Sequence, residues 1–451
     1  MNFIQEEGRD LKNIFNRFKR KDFSGNTGQA IKNSSYHFGT VFIGKIMALI
    51  FTAILARILM PELFGLYSLT LGTIFIFSSF SNLGLDSAII KFISSSLGKN
   101  NPSDAKAYIN YLLKIKIYLV LIFSFILLVL AKFLAITYYQ KPIFLGLILG
   151  PAIIIFLGII SFLESTLRAS NNFRIIFFKE AFFQSTRIIM VLFVFFTLVK
   201  FSSSISKSLF LIILSISLAY ILTAILLFLL SKKELLLKVK KKSLKNREKR
   251  TVLKFIFPLS LVILSTLLYG YVDMFMLGHF VEAPFIGFYG GAILVVSSIY
   301  ALTSFAIVFL PIFSRLKLSA LERSFKKTKR ITFTISIVLF IGTFIFAPMI
   351  IRIIFGEAYA SATPILRILS FLLICNPLNA LYDTYFTAKG KTVLLAKWYV
   401  FSMFFNIILN YFLITWLLKY GSLPAVLGAS VATLISRYFL LGGLTYFKKR
   451  N

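Results

Sequence analysis

Residues 65–67 read Gly-Leu-Tyr after the first long apolar run, and residues 287–289 read Gly-Phe-Tyr, 222 positions later. Pro142 and Pro364 are separated by the same 222 positions. Matches at one fixed offset indicate an internal repeat, although short matches in apolar sequence also arise by chance. If each copy holds six membrane spans, the two copies share one orientation and face each other across an axis along the membrane normal. This arrangement favours a transporter with a central cavity.

The composition places the chain in a membrane. Of its 451 residues 58% are hydrophobic, and the mean hydropathy is +0.86. Its apolar runs repeatedly exceed the roughly 18 residues that a helix needs to cross hydrocarbon. The net charge of +34 would suggest nucleic acid in a soluble protein, but here the basic residues lie between the apolar runs. We therefore predict an all-α, polytopic membrane protein that has membrane lipids, and no nucleic acid, among its partners.

Twelve spans are predicted, six on each side of a basic segment. A basic, amphipathic tail covers residues 1–35, where Leu11, Ile14, Phe15 and Phe18 share one helix face. The N-terminal lobe is predicted at 36–231, a basic linker at 232–252, and the C-terminal lobe at 253–451. The predicted spans are 37–59, 64–90, 110–136, 143–167, 176–199, 208–230, 254–279, 285–312, 330–355, 362–388, 392–418 and 424–446.

The basic residues test this topology, because Lys and Arg concentrate in cytoplasmic loops. With these spans, 39 of the 50 Lys and Arg residues lie in the two tails and alternate loops, and eight lie on the other side. The asymmetry predicts a multi-pass protein of the cell membrane with both termini in the cytoplasm. The remaining three basic residues, Lys45, Arg187 and Arg437, lie inside predicted spans.

These three cations are candidates for a substrate site. A Lys or Arg at the centre of a span costs about 3 kcal/mol, so it normally faces a cavity or a partner. At roughly 1.5 Å per residue, all three lie at comparable depths and could form one belt. Such a belt suits a phosphate or pyrophosphate, because ammonium and guanidinium groups replace the water that an anion loses. Alternatively, each side chain extends to the membrane–water interface or pairs with a carboxylate near a helix end.

One acid is also unusual. Asp273 lies in an apolar part of predicted span seven, whereas Asp86 and Asp383 are expected near the cytoplasmic surface. Asn406 and Asn410 lie on one face of span eleven at a similar height. Ser430 and Thr433 in span twelve could approach them. A carboxylate with amide and hydroxyl oxygens would suit Na⁺ or a coupled proton; the alternative is polar contact between helices.

Other chemistry is not indicated. Cys375 is the single cysteine, and His37 and His279 are too few and too far apart for a metal cluster. Glu164 precedes Arg168 by four residues, which predicts a local ion pair. The sequence has no nucleophile elbow and no nucleotide-binding loop, so we expect no enzyme. No cofactor is predicted beyond a possible coupling ion, Na⁺ or H⁺.

Several short segments identify a family resemblance. Residues 55–67 read Leu-Ala-Arg-Ile-Leu-Met-Pro-Glu-Leu-Phe-Gly-Leu-Tyr and resemble the end of the first helix and the following turn in Wzx-type oligosaccharide flippases. Segments 82–86, 272–278, 406–410 and 428–430 resemble the same family in order and spacing. These flippases belong to the multidrug/oligosaccharidyl-lipid/polysaccharide exporter superfamily. The resemblance covers nearly the whole chain from about residue 36.

The resemblance implies a twelve-helix, two-lobed, MATE-like fold. It also implies alternating-access flipping of polyprenyl-pyrophosphate-linked oligosaccharide to the outer face, with glycan polymerase or export components as possible partners. In related flippases, cavity cations meet the pyrophosphate and a cation can sit among spans seven, eleven and twelve. Carried over, the pyrophosphate residues are Arg187, Lys45 and Arg437, and the ion residues are Asp273, Asn406, Asn410 and Thr433.

Two other functions stay open. An antiporter for drugs or organic cations, from the same superfamily, would need acidic or aromatic residues deep in the cavity. A non-transporting subunit of a glycan-assembly complex is the second alternative. The deep charges are mostly positive, which favours an anionic lipid headgroup.

The two copies of the repeat differ at these charged positions. At the offset of 222 residues, Arg187 corresponds to Leu409, and Asp273 corresponds to Phe51.

Overall fold

The computed structural model describes residues 25–198, 204–235, 242–301 and 318–450, and within these ranges the regular structure is helical. The first half comprises α1 (Gly25–Asn82), α2 (Leu85–Gly98), α3 (Pro102–Lys132), a π-helix (Phe133–Tyr138), α4 (Phe144–Ile148), α5 (Gly150–Ala169), α6 (Phe173–Thr197) and α7 (Ile205–Leu235). The second half comprises α8 (Asn246–Phe280), α9 (Ala283–Ala301), α10 (Leu318–Ile345), α11 (Ala347–Phe355), a 3₁₀ turn (Glu357–Tyr359), α12 (Ala362–Ser370), α13 (Leu372–Ala388), α14 (Thr392–Leu418) and α15 (Ser422–Arg450). The predicted all-α class is confirmed.

The described helices account for the predicted spans. Ten helical segments are long and apolar enough to cross a membrane, and the bent helix α8 raises the number to eleven. The first segment, Ser35–Gly98, has 64 residues. At 1.5 Å per residue it would measure ~96 Å, against about 30 Å of hydrocarbon, so it accommodates two crossings. Counted in that way, the segments agree with twelve predicted spans.

The boundary between the first two spans is a kink in α1. Met60 has φ 58° and ψ 168°, outside the helical region, and Pro61 follows it. A proline disfavours helical geometry in the residue before it, so the helix breaks there. The end of the molecule that contains this kink is called the kink end below, and the end where α7 stops and α8 begins is called the linker end.

Two predicted spans are interrupted. Inside the predicted span 330–355, helix α10 ends at Ile345. A new helix, α11, starts at Ala347 with a proline in its first turn. Predicted span 362–388 divides at Phe371, where the backbone N–H bonds to the carbonyl of Ile368, three residues back. Both predicted spans therefore contain a break in the helix. The two segments of the second region still form one stretch long enough for a crossing.

The predicted linker is shorter than expected. Helix α7 continues to Leu235 and α8 already begins at Asn246, inside the predicted linker at 232–252. Just before α8 begins, the ammonium of Lys242 pairs with Asp104 in the first turn of α3. The amphipathic pattern at residues 11–18 lies outside the described residues. The division into two lobes stays a prediction.

The repeated glycines lie against each other. A Cβ on Gly65 of α1 would overlap the carbonyl oxygen of Ala283, and one on Gly287 of α9 would lie 2.6 Å from the carbonyl oxygen of Pro61. Only glycine permits two helix backbones to approach this closely. The motif that revealed the repeat is therefore the place where its two copies cross.

Further contacts join the halves around this crossing at the kink end. Arg57 donates from Nε to the carbonyl of Ile354 at 3.0 Å, and its Nη2 bonds to the carbonyl of Ile353. These carbonyls belong to the last turn of α11, where a cation is favourable. Lys141 Nζ donates to the Gly278 carbonyl at 2.6 Å. The two halves are thus joined by hydrogen bonds at the kink end.

Aromatic contacts join the halves at the linker end. Phe92 of α2 meets Phe255 of α8 edge to face, with ring centroids 5.7 Å apart. The ammonium of Lys91 lies 3.9 Å from the Phe255 ring centroid. Helix α8 therefore packs against the first half along most of its length.

The glycine crossing gives a direct test of the fold. We expect Gly65→Ala to lower the thermal unfolding temperature of the purified protein, because overpacking costs typically 1–3 kcal/mol. Gly342→Ala in α10 is the matched control, since no described atom lies within 4 Å of its added Cβ. Equal unfolding temperatures for the two variants would contradict the close crossing.

Candidate functional site

Asp273 is buried at the meeting point of four helices. It lies on α8, about two turns from the kink end, and is 4% exposed. Its Oδ1 accepts from Asn410 Nδ2 of α14 at 2.7 Å, and its Oδ2 accepts from the Tyr289 hydroxyl of α9 at 2.6 Å. The Thr433 hydroxyl of α15 also donates to Oδ2. The structure therefore brings together three of the four predicted ion-site residues in direct contact.

The fourth residue, Asn406, forms the next layer toward the linker end. Its Nδ2 donates to Ser436 Oγ at 3.1 Å and to Thr433 Oγ1 at 3.4 Å. Its backbone carbonyl accepts from Asn410 Nδ2 at 3.1 Å. The Tyr269 hydroxyl donates to Ser436 Oγ at 2.5 Å. The four predicted residues together with Tyr289, Ser436 and Tyr269 form one connected polar cluster, called the Asp273 cluster below.

Two oxygens of the Asp273 cluster have no donor. Within the described ranges, Asn406 Oδ1 and Asn410 Oδ1 are buried and accept no hydrogen bond. The amide orientations are fixed, since each Nδ2 already donates to two oxygens. A buried acceptor without a partner costs about 1–3 kcal/mol. Oxygens of carboxylate, amide and hydroxyl groups are the ligands that Na⁺ and other hard cations take, so the residues fit a bound cation.

The sequence did not identify every member of the cluster. Tyr289 entered only as a landmark of the repeat, and Tyr269 and Ser436 were not recognised. A tyrosine of the following helix, 16 residues after a buried acid, was the available signal for Tyr289. Ser430, which was grouped with Thr433, donates to the Val426 carbonyl of its own helix at 2.9 Å.

Arg187 lies in the first half of the chain, on α6. Its guanidinium lies 4.1 Å from the ring centroid of Phe51 in α1 and 5.4 Å from that of Phe183 in its own helix, α6. Nε and Nη2 are buried and have no hydrogen-bond partner among the residues that the structure describes. These two atoms form one edge of the guanidinium, the edge that binds two oxygens of a carboxylate or phosphate.

Nearby acids are already engaged by other groups. Lys179 bonds to Glu164 and, at 2.9 Å, to Glu180, and it is 6% exposed. Gln184 Nε2 donates to Glu180 Oε1 at 2.6 Å. Lys179 is one of the 39 basic residues that the sequence assigns to the tails and alternate loops, whereas the structure buries it within α6. The predicted pair of Glu164 with Arg168 is present at 3.4 Å, but Lys179 is the second partner of this carboxylate.

The other two predicted cations lie in different surroundings. Lys45 is exposed on α1, within electrostatic range of Glu180, and so belongs to the region around Arg187. Arg437 lies on α15 with its guanidinium 3.7 Å from the Tyr269 ring centroid, next to the Asp273 cluster. A belt of all three around one ligand stays a prediction.

The sequence of the chain matches a family model over residues 30–317, under the description "Polysaccharide biosynthesis protein". The chain belongs to this family. An uncharacterized membrane protein of Methanocaldococcus jannaschii is 23% identical over 435 residues, which are 92% of this chain and 82% of that protein. The predicted resemblance to polysaccharide flippases is thereby confirmed.

Solved structures share the fold. The lipid II flippase MurJ in an inward closed conformation has a TM-score of 0.70 at 19% identity, over 90% of this chain and 86% of that chain. A multidrug resistance MATE family transporter in an inward-facing conformation has a TM-score of 0.59 at 14% identity, over 92% and 96% of the two chains. The chain is therefore a multi-pass membrane protein with the fold of flippases and MATE transporters.

The contacts of Asp273 predict an energetic coupling. We expect Tyr289→Phe to lower the free energy of unfolding by about 1–3 kcal/mol, because a buried carboxylate oxygen loses a donor. In a double-mutant cycle with Asp273→Asn, the combined cost should be smaller than the sum of the two single costs. Tyr420→Phe, at a residue that is 70% exposed, is the control and should change nothing. Additive costs would show that the hydroxyl does not act on Asp273.

Proposed function

We propose that this protein flips polyprenyl-pyrophosphate-linked oligosaccharide from the cytoplasmic to the outer face of the cell membrane by alternating access. The observation that carries the proposal is the buried Nε–Nη2 edge of Arg187. Family membership supports a role in polysaccharide biosynthesis, and the fold supports membrane transport. The distribution of Lys and Arg supports cytoplasmic termini.

The chemistry of Arg187 favours a phosphate ligand. The Nε–Nη2 edge, which is buried and has no hydrogen-bond partner among the described residues, has lost its hydration and gains most from an anion that accepts two hydrogen bonds. The rings of Phe51 and Phe183 hold its position and leave that edge free. A pyrophosphate presents several coplanar pairs of oxygens, so it satisfies both donors and neutralises the charge. Lys45 is the second candidate contact in this half, and Arg437 is the candidate in the other half.

The rival role as an organic-cation antiporter is less compatible with the contacts of Asp273. Asp273 already accepts from Tyr289, Asn410 and Thr433, and these three donors leave little room for a large organic cation. Instead, we propose that the Asp273 cluster holds a small coupling cation, Na⁺ or H⁺. Glycan polymerase or export components stay possible partners.

A transport assay tests the substrate. In vesicles containing the reconstituted protein, labelled lipid-linked oligosaccharide should reach the far leaflet, and Arg187→Ala should slow flipping by about tenfold or more, the equivalent of one charge-assisted hydrogen bond. Arg187→Lys keeps the charge but loses the two-donor edge, so its rate should fall between the two.

The control is Arg174→Ala on the same helix. Arg174 also lies over a phenylalanine, 5.6 Å from the Phe178 ring centroid, but it is exposed. We expect wild-type flipping for this variant. Undiminished flipping by Arg187→Ala would refute the assigned role of Arg187, and transport of a labelled organic cation without lipid flipping would favour the antiporter.

The ion proposal has its own measurement. Replacing K⁺ by Na⁺ at constant ionic strength should raise the thermal unfolding temperature of the purified protein and speed flipping, because a ligand that binds only the folded state stabilises it. Asp273→Asn should abolish both differences. If wild-type protein responds neither to Na⁺ nor to pH, the Asp273 cluster does not bind a coupling ion.

A further inference from the structure

A second buried carboxyl group lies outside both proposed sites. Asp383 is on α13, five residues before the helix ends at Ala388, in a region where α13 packs against α14 and α15. The sequence placed it close to the cytoplasmic surface. In the structure the atom Asp383 Oδ1 is buried between helices.

The two oxygens of Asp383 have different surroundings. Oδ2 accepts from the Tyr399 hydroxyl of α14 at 2.6 Å. Oδ1 accepts from no donor within residues 25–198, 204–235, 242–301 and 318–450. Asn379 precedes Asp383 by one helical turn and so lies on the same face of α13. Its Oδ1 is also buried and lacks a donor in the same ranges, and the residue is 3% exposed.

The orientation of the Asn379 amide is fixed by the backbone. Its Nδ2 donates to the Arg437 carbonyl of α15 at 3.3 Å. A flipped amide would place two oxygens against each other, so Asn379 Oδ1 must point away from that carbonyl. One face of α13 thus presents two buried acceptors, a carboxylate oxygen and an amide oxygen. A single donor between them would satisfy both.

We propose that Asp383 is a proton-binding site, in which Oδ1 takes up one proton from water and donates it in a hydrogen bond to Asn379 Oδ1. The proton neutralises the carboxylate, and no other bond forms or breaks. A proton fits better than a metal ion, because two free oxygens are far fewer than the six or more ligands that a hard cation takes. The site is separate from the proposed flipping function and does not require its substrate.

The charged and titratable groups around this part of α13 come from four neighbouring helices. Arg437 is within electrostatic range of Asp383, and Tyr300 of α9 is within range of both Asp383 and Arg437. Lys329 of α10 donates to the Tyr382 hydroxyl at 3.1 Å. The described groups that face this region are Tyr300, Glu322, Lys329, Cys375, Tyr382, Tyr385, Lys389, Tyr399, Arg437 and Lys448.

Infrared spectroscopy of the purified full chain tests the proton directly. The chain has six aspartates, so isotope labelling of aspartate carboxyl groups resolves their C=O stretches from those of glutamate. Asp86 accepts from Asn82 and Ser161, and Asp104 pairs with Lys242, so both carboxylates already have donors. The wild type should show the band of a protonated, hydrogen-bonded aspartic acid that disappears as the pH rises.

The variants separate Asp383 from other sources of such a band. Asp273→Asn removes any band from a proton at the Asp273 cluster and should leave the Asp383 band in place. Adding Asp383→Asn to Asp273→Asn should then remove that band. Asn379→Leu should keep the band but shift it to higher frequency, because the acid loses its acceptor, and the band should disappear at lower pH. This variant keeps the test valid if Asp383→Asn fails to fold.

Three results would overturn the proposal. These are a wild-type spectrum without a protonated aspartic acid at any pH where the protein is folded, a band in Asp273→Asn that survives the addition of Asp383→Asn, and a band in Asp273→Asn that the addition of Asn379→Leu leaves unmoved. None of these measurements uses lipid substrate or Na⁺. A failed flipping assay and a failed proton site are therefore distinguishable.

Discussion

The structure depends on one constraint of the membrane: a polar group in hydrocarbon finds no water, so its partners must come from other helices. Asp273 shows what this does to packing. Its oxygens accept from Tyr289, Asn410 and Thr433, and these donors belong to α9, α14 and α15. One carboxylate thereby fixes the relative position of four helices. A ligand bound at this carboxylate would therefore act on the packing of the second half.

The Arg187 and Asp273 sites are equivalent positions of the repeat. Phe51, which stacks on Arg187, lies 222 residues before Asp273. Tyr67, within electrostatic range of Arg187, has the same offset from Tyr289, which bonds to Asp273. Arg187 corresponds to Leu409, the neighbour of Asn410. The predicted repeat therefore pairs a position beside the cation Arg187 with the anion Asp273, so its two copies differ in charge where their residues are buried.

The sequence predicted those properties that depend on periodicity and composition. Twelve apolar runs, the boundary between the first two spans near Pro61 and the ion-site residues on spans seven, eleven and twelve follow from hydropathy and helical spacing. Contacts between segments that are far apart in the sequence were not predicted by these patterns. The crossing of Gly65 with Gly287, the donation by Tyr289 and the burial of Lys179 depend on which helices become neighbours. A single sequence does not encode that choice in any local pattern, and the same residues were read as landmarks or loop charges.

Arg437 shows why position changes the meaning of a buried charge. The sequence grouped it with Lys45 and Arg187 as an anion ligand, but its guanidinium stacks on Tyr269 and lies within electrostatic range of both Asp273 and Asp383. A fixed cation between two carboxyl groups stabilises their ionised forms together. Protonation of Asp383 would then leave the charge of Arg437 to be balanced by Asp273 alone. A metal ion at Asp273 would meet stronger repulsion in that state, so proton and metal ion oppose each other through Arg437. Such opposition requires both acids and the arginine within one half, which is the arrangement that α8, α13 and α15 provide.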